Sequence, residues 1–122
     1  MGTGGSILNA IDKLNISDSF LVCNADTWLA SGLTKVSECD SPCIGLIRVN
    51  DPQRFGTVTV DNGLVASFEE KKSVKVESLI NAGLYHFSSN DFLGYKKETN
   101  FSLERDFLPN LVKYKLLSAI EI

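Results

Sequence analysis

The hydrophobic and polar positions at the start of the chain predict a helix followed by a strand. Apolar residues at helical spacing, Ile7, Ile11 and Leu14, predict a helix over residues 3–14, with Thr3 as a candidate N-cap. Phe20 to Cys23 is a continuous apolar run with polar flanks, which is typical of a strand buried on both faces. Asp26 follows soon after this strand, where open α/β sheets place their ligand sites.

The clearest local signal is a hairpin in the segment "FGTVTVDNGLVASFEEK". Two strand-like runs flank Asn62-Gly63, a dipeptide that favours a two-residue turn because both turn positions need positive φ. This turn predicts a register in which Val60 pairs with Val65 and Thr57 pairs with Phe68.

Further segments complete an alternation of helices and strands. Residues 28–38 favour a short helix or turn interrupted at Gly32, and apolar runs at 44–49 and 79–87 predict strands. Ser102 is expected to cap a turn or short helix, and a helix is expected to restart near Pro109, because proline cannot occupy the middle of a regular helix. One apolar face of this region repeats at i+4 through Leu103, Phe107 and Leu111. The expected architecture is α/β, with a mixed, mostly parallel sheet, flanking helices and a β-hairpin.

Composition and charge narrow the functional classes. The 122 residues are expected to form a single domain over residues 1–122. A net charge of −3 argues against a nucleic-acid partner, and no apolar run reaches the ~20 residues of a membrane span. Three cysteines, an odd number in a chain with no visible signal peptide, indicate reduced thiols and a cytoplasmic location. The single histidine, His86, is expected to be structural or exposed, so a zinc site is not expected.

Four blocks, in order, resemble the sugar-phosphate nucleotidylyltransferases, and most of all the heptose- and mannose-1-phosphate guanylyltransferases: "GTGGSILNAI", "FLVCNADT", "RFGTVTVDNGLVASFEEK" and "INAGLYHF". A looser fifth block, "FSLERDFLPNLV", follows at the expected place. The resemblance implies part of the Rossmann-like nucleotide-diphospho-sugar transferase fold. It also implies that the chain begins after the family's triphosphate-binding loop and ends before its second metal-binding aspartate. The opening glycines fit neither the dinucleotide fingerprint nor the P-loop pattern, and they resemble a later family element that contacts the base.

The resemblance also suggests site residues on the sugar-phosphate side. Asp26 matches the aspartate that holds Mg²⁺ in the family, although the family usually has glycine where Ala25 stands. Glu70 and Lys71 match a pair that contacts the sugar hydroxyls and the sugar phosphate, and lysine suits phosphate as a compact charge.

The remaining matches lie in two places. Gly56 and Asn81 match sugar-contacting positions, since glycine lets backbone approach a ligand and an amide both donates and accepts hydrogen bonds. Gly2 and Thr3 match the nucleotide-binding segment. Each residue also has a plain structural explanation: Gly56 can relieve a bulge, and "EEKK" can be a solvated strand end.

Two functional interpretations stay open at this stage. The first is part of a sugar-1-phosphate nucleotidylyltransferase that is inactive alone. The second is a non-catalytic, self-associating module, which either binds sugar phosphates or nucleotide sugars or serves as a scaffold. In the family, the strand resembling Phe20 to Cys23 is interior and pairs with a region that has no counterpart in these residues. An exposed apolar edge is therefore expected, and a homo-oligomer, with a dimer as the first expectation, would cover it.

Overall fold

The computed structural model describes residues 2–24, 32–50, 56–69, 77–95 and 100–122. Helices and strands are interspersed along the described residues. In order they are α1 (Thr3–Lys13), β1 (Ser19–Cys23), α2 (Gly32–Glu38), β2 (Cys43–Val49), β3 (Thr57–Asp61), β4 (Leu64–Glu69), β5 (Ser78–Ser88), a 3₁₀ turn (Ser89–Phe92), a π-helical turn (Leu103–Phe107), α3 (Leu108–Lys113) and β6 (Ser118–Glu121). No helix among the described residues is long and apolar enough to cross a membrane.

The sheet is mixed but mostly antiparallel, so the prediction of a mostly parallel sheet was wrong. Its strand order is β1-β5-β2-β6-β4-β3, and β3 also pairs with β5. Among the described strands only β2 and β6 pair in parallel. Strands β1 and β2 run in the same direction, as an α/β pattern predicts, but β5 lies between them and opposes both. The alternation of helices and strands does not reveal which strand inserts between two others.

Strand β5 organises the sheet because both of its edges are paired. Tyr85 lies opposite Ile44 of β2 and also opposite Val22 of β1, whereas Ile80 lies opposite Ile47 of β2 and Thr57 of β3. Strands β1 and β3 therefore share one edge of β5, one after the other, and β2 occupies the other edge. Strands β5, β2, β6, β4 and β3 also close into a ring, since β3 returns to β5.

Strand β1 forms where the apolar run predicted it, but it is not buried on both faces. Phe20 and Val22 are half-buried against the core, while Leu21 is 39 % exposed. Within the described residues β1 pairs with β5 alone, so its second edge is open. Among the described residues, β1 therefore has an unpaired edge at which the apolar Leu21 is partly exposed.

The hairpin is confirmed, with one error in its register. Asn62 and Gly63 both have positive φ, at 52° and 78°, and Val60 pairs with Val65 as predicted. The pairing then shifts between Thr59 and Val60, so Thr57 lies opposite Glu69 instead of Phe68. A bulge inserts one extra residue into a strand, and a register derived from the turn alone cannot detect it.

Helix α1 confirms the predicted helix, although its N-cap is Gly2, not Thr3. Its C-terminal end is a Schellman motif, in which Ile16 N–H donates to the Ile11 carbonyl (3.0 Å) and Asn15 adopts a φ of 52°. The apolar side of α1 packs on the core through Ile7 and Ile11.

The prediction of a short helical turn after Ser102 and a new helix near Pro109 is also confirmed. The Ser102 hydroxyl accepts a hydrogen bond from Arg105 N–H (3.1 Å) and caps the π-helical turn, and Pro109 occupies the first turn of α3. The residues predicted to line one face of this region are all buried: Leu103, Phe107 and Leu111. Phe107 stacks on Phe92 with ring centroids 4.3 Å apart.

Helix α2 covers the other face of the sheet. Its buried Val36 lies over Gly45, which alternates with the core-facing Ile44 and Leu46 of β2. His86 lies on this side as well, and its Nδ1 is 2.6 Å from the Cys39 carbonyl oxygen, in agreement with the structural role expected for it.

Candidate functional site

Of the predicted site residues, Asp26, Glu70 and Lys71 lie outside the described residues, and their assignments stay predictions. The structure describes Gly2, Thr3, Gly56 and Asn81, which form two separate groups. Within the described ranges no cluster of three or more His, Cys, Asp or Glu side chains could hold a metal ion.

Gly56 and Asn81 lie side by side at the shared edge of β5. Because Thr57 pairs antiparallel with Ile80, the same register places the preceding residue, Gly56, opposite Asn81. Gly56 is exposed, and a Cβ there would lie 3.0 Å from the Glu69 carbonyl oxygen, so the backbone passes close to the end of β4. The next residues after Glu69 are the predicted pair Glu70 and Lys71.

A bulge in β5 separates the end of β1 from the start of β3. The register against β2 shifts between Ile44 and Leu46, which leaves extra residues in β5 at this point, and Gly83 has a φ of +75°. Asn24 N–H donates to the Gly83 carbonyl oxygen (2.9 Å), which fixes the last described residue before Asp26. The carboxyl end of β1 and the start of β3 therefore meet at one gap on β5.

The Asn81 side chain holds this bulge in shape. Its Oδ1 accepts a hydrogen bond from Gly83 N–H (2.7 Å), and its Nδ2 donates to the Tyr85 hydroxyl (2.7 Å). A primary amide offers two N–H donors and two acceptor positions, so half of its capacity remains for a ligand. Asn81 thus has a structural task that the resemblance did not indicate.

Tyr85 was not predicted as a site residue, although it lies within the block "INAGLYHF". Burial raises its pKa to about 12, the hydrogen bond from Asn81 opposes that rise, and the negative charge of Glu104 adds to it. The phenol is therefore neutral at physiological pH. The negative charge of Glu104, which borders the cavity beside Gly2 and Thr3, thus acts on Tyr85 at the β5 bulge.

The Gly2–Thr3 segment borders a polar cavity of about 620 Å³. Its walls combine backbone groups, an amide, two hydroxyls and charges of both signs, supplied by Gly2, Thr3, Asn100, Phe101, Ser102, Glu104, Arg105 and Asp106. In the wall, Ser102 N–H donates to Asp106 Oδ2 (2.7 Å), and the Ser102 hydroxyl lies 3.3 Å from Glu104 Oε2. Arg105 makes no ion pair with another described residue, so its guanidinium is a candidate donor to an anionic or carbonyl-bearing ligand.

The glycines at the start of α1 are explained by contact with Phe101. A Cβ at Gly2 would overlap the Phe101 carbonyl oxygen, and a Cβ at Gly4 would overlap the Phe101 ring. Gly4 N–H donates to the Phe101 carbonyl oxygen (3.0 Å), and the Thr3 hydroxyl accepts from Leu103 N–H (2.7 Å). These contacts dock α1 on the π-helical turn.

One buried polar group near the gap has no partner within the described residues. Thr57 is 3 % exposed, and its hydroxyl makes no hydrogen bond there. Its side chain shares a face with Ile80 and lies opposite the face of Asn81, by the alternation of the strands.

Comparisons with known proteins identify the family. The nucleotidyl transferase family model matches residues 1–117. A D-glycero-alpha-D-manno-heptose 1-phosphate guanylyltransferase of Campylobacter jejuni is 35 % identical over 98 % of this chain and 54 % of its own length. A mannose-1-phosphate guanylyltransferase of Mycobacterium tuberculosis is 33 % identical over 92 % of this chain and 33 % of its own length.

Among solved structures, HddC from Yersinia pseudotuberculosis complexed with GMP-PN superposes with a TM-score of 0.79 and 31 % identity. The match covers 99 % of this chain and 53 % of the HddC chain. This chain therefore spans about half the length, or less, of the relatives it matches. Because the family model matches nearly all of these residues, the chain belongs to the nucleotidyl transferase family.

Proposed function

We propose that this chain forms part of a sugar-1-phosphate guanylyltransferase site. In the proposed reaction, an oxygen of the sugar phosphate attacks the α-phosphorus of a nucleoside triphosphate. The bond from that phosphorus to the oxygen bridging to the β-phosphate breaks, and pyrophosphate leaves with the electron pair. Such chemistry depends on positioning and on neutralising charge more than on covalent help from the protein.

The observation that carries this proposal is the gap on β5. It brings together the segment that leads to Asp26, the exposed backbone of Gly56 and the amide of Asn81. Three separate stretches of sequence, each matched to the sugar-phosphate side of the family's site, converge at one place. A resemblance confined to sequence would not require them to meet.

We assign sugar hydroxyl and phosphate contacts to Gly56, Glu70, Lys71 and the free half of the Asn81 amide. Lys71 would supply a point charge to the phosphate. Asp26 would hold a magnesium ion, whose charge offsets that of the phosphates.

We assign the nucleotide to the cavity beside Gly2 and Thr3. Guanine carries a carbonyl acceptor and neighbouring N–H donors, and the cavity offers the Arg105 guanidinium together with the carboxylates of Glu104 and Asp106. The GMP-PN bound in the HddC structure supports a guanosine nucleotide for this chain.

Calorimetric titration tests the nucleotide assignment. We expect GMP to bind more tightly than CMP, and Arg105→Ala to weaken GMP binding about 10- to 150-fold, since a hydrogen bond to a charged group contributes about 1.5–3 kcal/mol. Lys113→Ala, which removes an exposed cation from the last turn of α3, is the matched control and should leave binding unchanged. Equal loss in both variants would show a non-specific charge effect and would contradict the assignment.

We further propose that these 122 residues bind their ligands without turning them over. No glycine-rich, basic triphosphate loop occurs in this sequence, so positive charge for the triphosphate would come from Lys71, Lys72 or a partner. A pyrophosphate-release assay with GTP, magnesium and mannose or heptose 1-phosphates should give no signal with this chain. Turnover by the purified chain would overturn this part of the proposal.

The alternative is a non-catalytic module of the cytoplasm that binds sugar phosphates and self-associates, and the open edge of β1 favours it. An apolar groove of about 320 Å³ lies beside that edge, lined by α1 and β1 residues such as Ile7, Ile11 and Phe20. We propose that a second copy pairs with β1 across a two-fold axis.

Light scattering at micromolar concentration tests the self-association. We expect a dimer for the unmodified chain and a monomer for Leu21→Lys. Val60→Lys is the matched control, because Val60 is 38 % exposed on β3, which pairs on both sides. A monomer before any substitution would remove the alternative.

A further inference from the structure

The cysteines on the α2 side of the sheet form a pair that the proposed function does not use. Cys39 immediately follows α2, and Cys43 begins β2, so only Asp40, Ser41 and Pro42 separate them. Both are free thiols; Cys39 is half-buried and Cys43 is fully buried.

Two independent contacts bring the pair together around His86. The Cys39 carbonyl oxygen lies 2.6 Å from His86 Nδ1, and Cys43 is the direct cross-strand neighbour of His86 in the β2–β5 register. The connecting turn thus folds back over the strand in which Cys43 lies, so that both cysteines are neighbours of His86.

We propose that Cys39 and Cys43 form a reversible intramolecular disulfide, and that the oxidant is a small-molecule disulfide such as oxidised glutathione. The half-buried Cys39 sulfur attacks one sulfur of glutathione disulfide, which breaks the S–S bond and releases one glutathione thiolate. The Cys43 sulfur then attacks the Cys39 sulfur of the mixed disulfide. The second glutathione leaves and takes up a proton, so two protein thiols are oxidised while one disulfide is reduced to two thiols.

The surroundings explain why Cys39 reacts first. Burial, together with the neighbouring Cys39 thiol and the charge of Asp40, raises the pKa of the Cys43 thiol well above its ordinary value. A buried thiol that keeps its proton is a poor first nucleophile, but it can resolve a mixed disulfide formed on an adjacent sulfur. The resulting bond would tie the end of α2 to the first residue of β2, on the side of the sheet opposite Asn81.

Thiol alkylation followed by mass spectrometry tests the proposal in a Cys23→Ser background, which removes the exposed third thiol. After incubation in a glutathione redox buffer rich in the disulfide form, we expect this protein to lose two hydrogen atoms and both alkylatable thiols, with no glutathione retained. Adding Cys43→Ser should leave one glutathione attached at Cys39. Adding Cys39→Ser should leave Cys43 reduced and unmodified.

The outcomes separate the proposal from simple surface oxidation. Two thiols that remain alkylatable in the Cys23→Ser protein, a glutathione adduct that persists on it, or an intermolecular disulfide on a non-reducing gel would each overturn the inference. Circular dichroism of each variant before oxidation verifies that it is folded. The Cys23→Ser protein alone decides the question, because it retains the native pair.

Discussion

At the start of α1, Gly2 and Gly4 leave room for Phe101 to approach, whereas at the β5 bulge Gly83 provides a φ of +75°. Both segments were matched to ligand-binding positions, yet one glycine requirement is steric and the other is conformational. The first segment is held by contact with a distant aromatic residue, and the second by hydrogen bonds within its own strand. Glycines that look alike in a sequence can therefore fail in different ways when they are replaced.

The largest effect is expected where α1 docks. Phe101→Ala should destabilise the fold by about 3–5 kcal/mol, because a buried ring that stacks on Tyr95 is removed. Gly4→Ala alone should cost about 1–3 kcal/mol through overlap with that ring. Denaturant unfolding of the two single variants and the double variant measures their coupling.

If the steric account is correct, Gly4→Ala costs nothing in the Phe101→Ala background, because alanine is then the better helix former. Additive losses in the double variant would mean that Gly4 serves another purpose.

An intermediate effect is expected at Tyr85 in alkaline solution. Its pKa of about 12 exceeds the ordinary value of 10.0, so the folded state keeps a proton that the unfolded state releases. The resulting stability is fully present below about pH 10 and is lost as pH rises through the folded pKa, by up to about 2–3 kcal/mol. Unfolding free energies measured from pH 8 to 11 should fall less steeply in Tyr85→Phe than in the unmodified chain. Tyr114→Phe, at an exposed tyrosine, should retain the original slope.

The smallest effect is expected from the bulge itself. Asn81→Ala leaves Gly83 N–H and the Tyr85 hydroxyl without their partner and should cost about 1–3 kcal/mol. Asn110→Ala is the matched control, since Asn110 also donates to a tyrosine hydroxyl, that of Tyr95, but at 3.4 Å and on the surface. We expect its cost to stay below about 0.5 kcal/mol by thermal or denaturant unfolding. Equal costs at the two asparagines would remove the special role given to Asn81.

Local chemistry made several elements predictable. Asn62-Gly63 fixed the hairpin turn, and Ser102 with Pro109 fixed where one helical segment stops and the next begins. Each of these signals acts within about four residues, so the chain carries it regardless of the rest of the fold.

Long-range pairing was not predictable in the same way. The insertion of β5 between β1 and β2 reversed the expected sheet type, and β6 was not anticipated at all. The Thr3 hydroxyl illustrates the same limit, because its partner is the Leu103 backbone, 100 residues away in the chain. The site residues came from family resemblance, and the hydrogen bonds of Asn81 became visible only with the fold.

The ring of strands closes through a short contact between β4 and β6. Strand β6 meets β4 at one register pair, Leu64 with Ser118, supported by backbone hydrogen bonds from Val65 to Leu117 and from Ala119 to Gly63, each 2.9 Å. Strand β6 therefore holds the ring closed beside the hairpin turn. Amide protons at Val65 and Ala119 should exchange with solvent sooner than those in the centre of β5. Separating β6 from β4 opens the ring without disturbing the aromatic core.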